Sequence, residues 1–148
     1  MKTGVSVGDA MTQNPVTVDS ELTIMAAAKI LIDERVGSLL VTSGKQLLGI
    51  VTEKDIVRII AQGLNAKSVT IDQIMTSKLH TIEPDTDLYD AVHYMKKHKI
   101  RRLPVLHKGN MLGLLTTSDV LKFQPILYEI LYDWGKMQAS KKMEDQDD

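Results

Sequence analysis

The sequence predicts an α/β protein made of two copies of one β-α-β-β-α unit, followed by a C-terminal helix. When the chain is shifted by 64 residues against itself, residues 5–60 fall on residues 69–124 without a gap. Unrelated segments of this length would share roughly three or four identities. Here eleven pairs are identical: Val5/Val69, Met11/Met75, Thr12/Thr76, Thr17/Thr81, Ala27/Ala91, Leu39/Leu103, Val41/Val105, Leu48/Leu112, Gly49/Gly113, Thr52/Thr116 and Asp55/Asp119.

The apolar pattern repeats as well. A short extended stretch precedes the first helix of each copy, at residues 15–18 and 79–82, and polar residues suited to a helix start follow it. Apolar side chains then recur at i, i+3, i+4 and i+7, which predicts one buried face of a helix in each copy. These faces are Ile24, Ala27, Ala28 and Leu31 in the first copy, and Leu88, Ala91, Val92 and Met95 in the second.

Each copy continues with two apolar runs around a glycine-containing turn, a pattern typical of a β-hairpin. The runs are Ser38–Thr42 and Leu47–Val51 in the first copy, and Leu103–Leu106 and Met111–Leu115 in the second. A second helix is expected over residues 53–62 and over residues 117–124. The predicted organisation is a first repeat over residues 5–63, a second over 69–124, and a C-terminal helix and polar tail over 125–148. Because one small repeat cannot bury its apolar face alone, we expect the two to share a core.

The C-terminal segment has no counterpart in the repeat. Residues 125–139 carry an apolar stripe that predicts a helix packing against the module or a second subunit, and the polar end is expected to fray. The stripe consists of Ile126, Leu127, Ile130, Leu131 and Trp134.

Composition excludes several classes of function. The formal net charge is −1, whereas non-specific nucleic-acid binding normally requires a basic excess. The sequence has no cysteine, so disulfides, thiolate nucleophiles and thiolate metal sites are absent. Apolar runs are too short for a membrane span, and the N-terminus lacks the apolar segment of a signal peptide. We expect a cytoplasmic protein without membrane contact.

The same motif ends both hairpins. Gly49 to Asp55 and Gly113 to Asp119 each read glycine, two apolar residues, threonine, two variable residues and aspartate. A threonine hydroxyl can meet a phosphate oxygen at a helix N-terminus, and the carboxylate can accept bonds from ribose hydroxyls. Ordinary helix capping by the threonine and aspartate explains the motif equally well.

Taken with the duplication, these motifs resemble a tandem pair of cystathionine-β-synthase (CBS) domains over about residues 5–124. The run from Ile100 to Val105 strengthens the resemblance, because CBS repeats often read this way after the first helix. The resemblance implies a pseudo-two-fold module with two clefts between the repeats, a ligand of the AMP, ADP or ATP class, and pairing into a homodimer.

The resemblance also assigns residues to the two clefts. Asp55 and Asp119 would hold ribose hydroxyls, and Thr52 and Thr116 would meet phosphate or ribose. The other expected ligand-binding residues are Val16, Thr17, Val36, Gly37, Ser38 and Lys54, and then His80, Thr81, Ile100, Arg101, Arg102 and Ser118.

The two clefts are expected to differ in charge. The resemblance places Arg101 and Arg102 near phosphates in the Asp55 cleft, with Lys54 and Arg58 nearby. The first copy has Gly37 and Ser38 where the second has the arginines, so the Asp119 cleft would lack matching cations. The alternative is that Arg101 and Arg102 are a solvated surface pair.

The expected function is that of a stand-alone regulatory module that binds an adenosine nucleotide and signals to an unknown partner protein. We expect no catalysis, because no nucleophile elbow, Walker loop or dinucleotide fingerprint is present. No cofactor or metal site is expected, since His93 and His98 are five residues apart. Two alternatives stay open: a ligand-free interaction module, and a nucleic-acid-binding variant using Lys96, Lys97, Lys99 and the arginine pair.

Overall fold

The computed structural model describes residues 2–131 and has the mixed α/β architecture that the sequence predicts. Its elements in chain order are α1 (Val7–Ala10), β1 (Thr12–Gln13), β2 (Thr17–Val18), α2 (Ile24–Glu34), β3 (Ser38–Ser43), β4 (Gln46–Thr52), α3 (Glu53–Ala61), a 3-10 turn (Ile71–Gln73), α4 (Leu88–His98), β5 (Arg102–His107), β6 (Asn110–Thr116) and α5 (Thr117–Phe123). Residues 125–131 are also helical.

The described residues form two compact units. The first unit contains Asn14–His80 and Lys108–Met111, and the second contains residues 2–13, 81–107 and 112–131. The units are not colinear with the two sequence repeats. The segment before β2 belongs to the second unit, and the segment that follows α3 belongs to the first.

In the first unit β2 lies parallel to β3, and β3 pairs with β4 as an antiparallel hairpin. Thr76 adds an antiparallel bridge to Ile50 on the free side of β4. The predicted face of α2 lies in the core, where Ile24 and Ala27 have no exposed surface. Ile56 and Ile59 of α3 and Ile71 of the 3-10 turn complete this core.

The second unit repeats the arrangement. Its sheet has the strand order β1-β6-β5, and Ile82 bridges Val105 in parallel, as β2 pairs with β3. The predicted face of α4 is fully buried: Leu88, Ala91, Val92 and Met95 all have 0% exposure. Leu127 and Leu131 of the C-terminal helical residues pack into the same core.

In each unit, a glycine in the second strand of the hairpin allows a neighbouring segment to approach closely. The segment is residues 75–76 in the first unit and residues 11–12 in the second. A Cβ on Gly49 would lie 2.9 Å from the carbonyl oxygen of Thr76, and one on Gly113 would lie 2.7 Å from that of Thr12. The thioethers of Met75 and Met11 would be equally close, at 2.7 and 2.6 Å. Three of the identical pairs in the sequence therefore form one contact, made once in each unit.

Local capping fixes where the long helices begin and end. Thr23 caps α2, and Asp87 caps α4 by accepting from the backbone N–H of Tyr89. Arg35 and Lys99 end these helices in the left-handed region, with φ of 55° at both. The matched ends explain why the helices have the same length of 11 residues.

Asp87 also anchors the N-terminal segment. Its carboxylate accepts bonds from the backbone N–H groups of Thr3 and Gly4 and from the Thr3 hydroxyl. Loss of hydration acts to raise the pKa of Asp87, but bonds from the N–H of Tyr89 and from Thr3 and Gly4 outweigh it and lower the pKa below 3.8.

The described part of the C-terminal stripe is buried on one side. Leu127 and Leu131 are 3% and 4% exposed, whereas Ile126 is 75% exposed in the single chain. Packing of this stripe against a second subunit, the other expected arrangement, stays a prediction. Trp134, the rest of the predicted helix and the tail lie outside the described residues. No helix within residues 2–131 is both long and apolar enough to cross a bilayer.

Candidate functional site

One end of the first unit's sheet brings together three expected ligand-binding segments. β2 begins at Thr17, β3 begins at Ser38, and β4 ends at Thr52, whose Cα is opposite that of Ser38. The carbonyl oxygen of Gly37 accepts a bond of 3.1 Å from the backbone N–H of Glu53, the first residue of α3. The ends of these strands and the N-terminus of α3 therefore meet at one end of the sheet.

The carbonyl group of Val16 is not free at this edge, because it accepts a bond of 3.1 Å from the backbone N–H of Leu40. Val36 and Gly37 are half-buried, and Ser38 is buried with 8% exposure.

Both Thr-x-x-Asp motifs form capping boxes. Thr52 is the N-cap of α3 and accepts from the backbone N–H of Asp55 at 3.3 Å, while Asp55 Oδ2 accepts from the backbone N–H of Thr52 at 2.8 Å. Thr116 and Asp119 repeat these bonds at 3.3 and 2.9 Å at the start of α5. The capping interpretation of the motif is confirmed. It does not exclude a ligand, because a carboxylate has about four acceptor sites.

The two carboxylates differ in their third partner. Arg58 donates to Asp55 Oδ1 at 3.3 Å from an exposed position, with 58% of its own side chain accessible and 14% of that of Asp55. Asp119 instead accepts from the hydroxyl of Thr12, at 3.1 Å to Oδ1 and 3.3 Å to Oδ2, and is 9% exposed. As whole residues, Asp119 is buried, whereas Asp55 is half-buried.

The second variable position of each motif is at the surface. Lys54 is exposed in the first turn of α3, and Ser118 is exposed at the matching position of α5. Ile100 and Arg102 are half-buried, Arg101 is exposed, and the carbonyl oxygen of Arg101 accepts from the backbone N–H of Thr117 at 3.2 Å. This bond is the counterpart of that between Gly37 and Glu53.

The expected ligand-binding residues are divided between the units. The first unit contains Val16, Thr17, Val36, Gly37, Ser38, Thr52, Lys54, Asp55 and His80, and the second contains Thr81, Ile100, Arg101, Arg102, Thr116, Ser118 and Asp119. Each unit thus unites its own Thr-x-x-Asp motif with the residues at the start of the first strand of its hairpin.

Sequence reasoning missed Thr12, which contacts Asp119 from 107 positions away in the chain. The identity of Thr12 and Thr76 was the available signal. Sequence reasoning also missed α1 and the 3-10 turn. Ser6 with Asp9, and Thr70 with Gln73, are capping-box pairs that mark these starts.

The histidines lie outside these sites except for His80. His93 stacks near Tyr89 with ring centroids 4.3 Å apart, and His107 Nδ1 lies 3.3 Å from a carboxylate oxygen of Glu83. Among residues 2–131, no group of three His, Cys, Asp or Glu side chains is placed to hold a metal ion.

Comparison with known proteins gives the class of the fold. The CBS domain family model matches residues 7–62 and again residues 71–125. The CBS domain-containing protein YhcV of Bacillus subtilis is 34% identical over 116 residues, which are 78% of this chain and 82% of YhcV. The chain therefore belongs to the CBS domain family and contains two CBS domains in tandem.

Two further similarities extend the comparison. An uncharacterised protein of Methanopyrus kandleri is 32% identical over 126 residues. The match covers 83% of this chain and 64% of that protein's length. The CBS domain pair of protein MJ0100, solved in complex with 5′-methylthioadenosine and S-adenosyl-L-methionine, is 31% identical with a TM-score of 0.72. The match covers 80% of this chain and 94% of that one.

Proposed function

We propose that this chain is a regulatory module that binds an adenosine-type compound through the Asp55 motif and passes the bound state to a partner protein. The observation that carries the proposal is that the capping box holds only one oxygen of the Asp55 carboxylate. Its Oδ2 is fixed by the capping box, whereas its Oδ1 meets an exposed arginine at a sheet edge shared with Gly37 and Ser38.

An exposed ion pair one helical turn apart contributes little stability, so Arg58 can leave Oδ1 at small cost. The two hydroxyls of a ribose would then find two acceptor sites on a carboxylate whose orientation is already set. The complex of the similar MJ0100 domain pair with two adenosine compounds supports this ligand class.

A phosphate-bearing ligand of the AMP, ADP or ATP class is the finer part of the proposal. It rests on the cations that the family resemblance assigns to phosphate, namely Arg101 and Arg102 with Lys54 and Arg58. Guanidinium–phosphate bonds are charge-assisted and often bidentate, so these residues would discriminate by phosphate number.

We further propose that the chain acts by regulation rather than catalysis, in the cytoplasm and as a homodimer. Val57 and Ile60 on α3 are 65% and 62% exposed, and Leu121 on α5 is 47% exposed. Contiguous exposed apolar surface marks protein–protein interaction sites, so the Val57 and Ile60 face of α3 is proposed as part of the dimer contact.

Calorimetric titration with adenosine, AMP and ATP tests the ligand. Asp55→Asn keeps a carbonyl oxygen for the cap but removes the charge that would hold the ribose. Because a hydrogen bond to a charged group contributes roughly 1.5–3 kcal/mol, affinity is expected to fall about tenfold or more. The matched control is Asp9→Asn, which changes the capping-box carboxylate of α1 and should leave affinity unchanged.

Replacing Arg101 by Gly and Arg102 by Ser, as in the first repeat, is expected to weaken AMP and ATP much more than adenosine. Equal, small losses for all three ligands would make the arginines surface charge only. Unchanged affinity in a double Asp55→Asn, Asp119→Asn protein would reduce both carboxylates to caps. Absence of binding by the unaltered chain would leave the interaction module, or salt-dependent nucleic-acid binding, as the function.

A further inference from the structure

We infer that the hydroxyl of Thr12 closes the Asp119 carboxylate to ribose, so that the two Thr-x-x-Asp motifs of this chain differ in availability before any ligand arrives. The inference rests on the proposed function and adds a residue that sets which motif is used first. Thr12 acts through Asp119 and is a positioning residue.

The capping box already uses part of the Asp119 carboxylate. Asp119 Oδ2 accepts from the backbone N–H and the hydroxyl of Thr116, at 2.9 and 3.0 Å. About two of the four acceptor sites are then left for the two hydroxyls of a ribose. The hydroxyl of Thr12 lies 3.1 Å from Oδ1 and 3.3 Å from Oδ2. Its single hydrogen takes one of the remaining sites and leaves one for two ribose hydroxyls.

The two third donors differ in how they are held rather than in burial, since both Thr12 and Arg58 are exposed. Thr12 is a short side chain on a strand paired with β6, so its hydroxyl stays beside Asp119. At Asp55 the third donor is Arg58, which has 58% of its side chain in solvent and can be rehydrated at once. The two motifs have the same sequence pattern, but their carboxylates are not equally available to a ligand.

The backbone holds Thr12 in place. β1 pairs with β6 through the partners Thr12 and Leu114, and Gly113 allows the Thr12 carbonyl group to pass close above the strand. Thr76 has the equivalent backbone position, exchanging two bonds of 3.0 Å with Ile50. Within residues 2–131, however, the Thr76 hydroxyl makes no hydrogen bond to Asp55, so the closure is confined to the second repeat.

The experiment uses the full chain and 5′-methylthioadenosine, an adenosine compound without phosphate that does not depend on nearby cations. The Asp55→Asn background isolates the Asp119 motif, and Thr12→Val removes the hydroxyl while keeping a β-branched side chain. Calorimetry is expected to show about tenfold tighter binding in this background, the equivalent of one bond to a charged group. Thr12→Ser, which keeps the hydroxyl, is expected to return the affinity toward that of the background.

Thr76→Val in the unaltered chain is the matched control, and it should leave the affinity as it was. Weaker or equal binding by Thr12→Val would overturn the inference, because the hydroxyl would then orient Asp119 for the ligand or have no part in binding. A melting-temperature change without a change in affinity would also overturn it. If the unaltered chain bound no adenosine compound at all, the proposed function itself would be refuted. That result differs from binding that is present but unaffected by Thr12→Val, which would refute only the role of Thr12.

Discussion

Gly113→Ala should destabilise the chain even though alanine is usually preferred to glycine in a strand. Glycine inside a regular element normally costs roughly 0.5–1 kcal/mol relative to alanine, so the change would be favourable in open space. Here the added Cβ would lie 2.7 Å from the Thr12 carbonyl oxygen and 2.6 Å from the Met11 sulfur. The sulfur belongs to a flexible side chain, but the carbonyl group belongs to a paired strand.

Because the backbone of β1 must move, the overpacking cost should exceed the gain from removing a glycine. Overpacked sites usually lose about 1–3 kcal/mol of unfolding free energy. Urea unfolding followed by circular dichroism measures this as a lower midpoint at unchanged slope. Met11→Ala removes the sulfur contact but also truncates a side chain that packs against this core. The two changes together should therefore cost less than the sum of their separate losses, as measured by a double-mutant cycle. A Gly113→Ala protein as stable as the unaltered chain would refute the close-approach explanation.

Two other predictions concern pH and assembly. The carboxylate of Asp87 stabilises the fold fully above its ordinary pKa of 3.8, and this effect is lost as the pH falls through the lower pKa of the folded state. Asp87→Asn should therefore flatten the acid side of the curve of unfolding free energy against pH. An unchanged acid slope, measured by urea unfolding, would contradict this. The exposed Val57 and Ile60 should support a homodimer that Ile60→Glu weakens, and sedimentation showing only monomer for the unaltered chain at micromolar concentration would refute the homodimer.

Much of the fold could be predicted because its signals are local. The apolar face of α4 needs only the spacing of Leu88, Ala91, Val92 and Met95, and all four are buried. The hairpins follow from apolar runs around glycine turns, and the motif at Asp55 predicts a helix start because threonine and aspartate satisfy its free N–H groups. Comparing the repeats then gave the class of the protein.

The sequence left the role of the motif open between capping and binding. The structure shows capping at both Thr52 and Thr116. The use of these carboxylates by a ligand stays a prediction, because a cap and a ribose site require the same residue types at the same spacing.

By itself the sequence determined the duplication, the helix faces, the hairpins and the two matched aspartates. Only the tertiary structure decided that residues 2–13 pack with the second repeat and that Ile126 is exposed. It also decided that Met11 and Thr12 fill the space in which a side chain at position 113 would lie, and that Thr12 bonds Asp119, a contact 107 residues apart in the chain. The physical reason is that a hydrophobic period reports which side of an element is buried, whereas the neighbour across a long loop is chosen by packing the whole core.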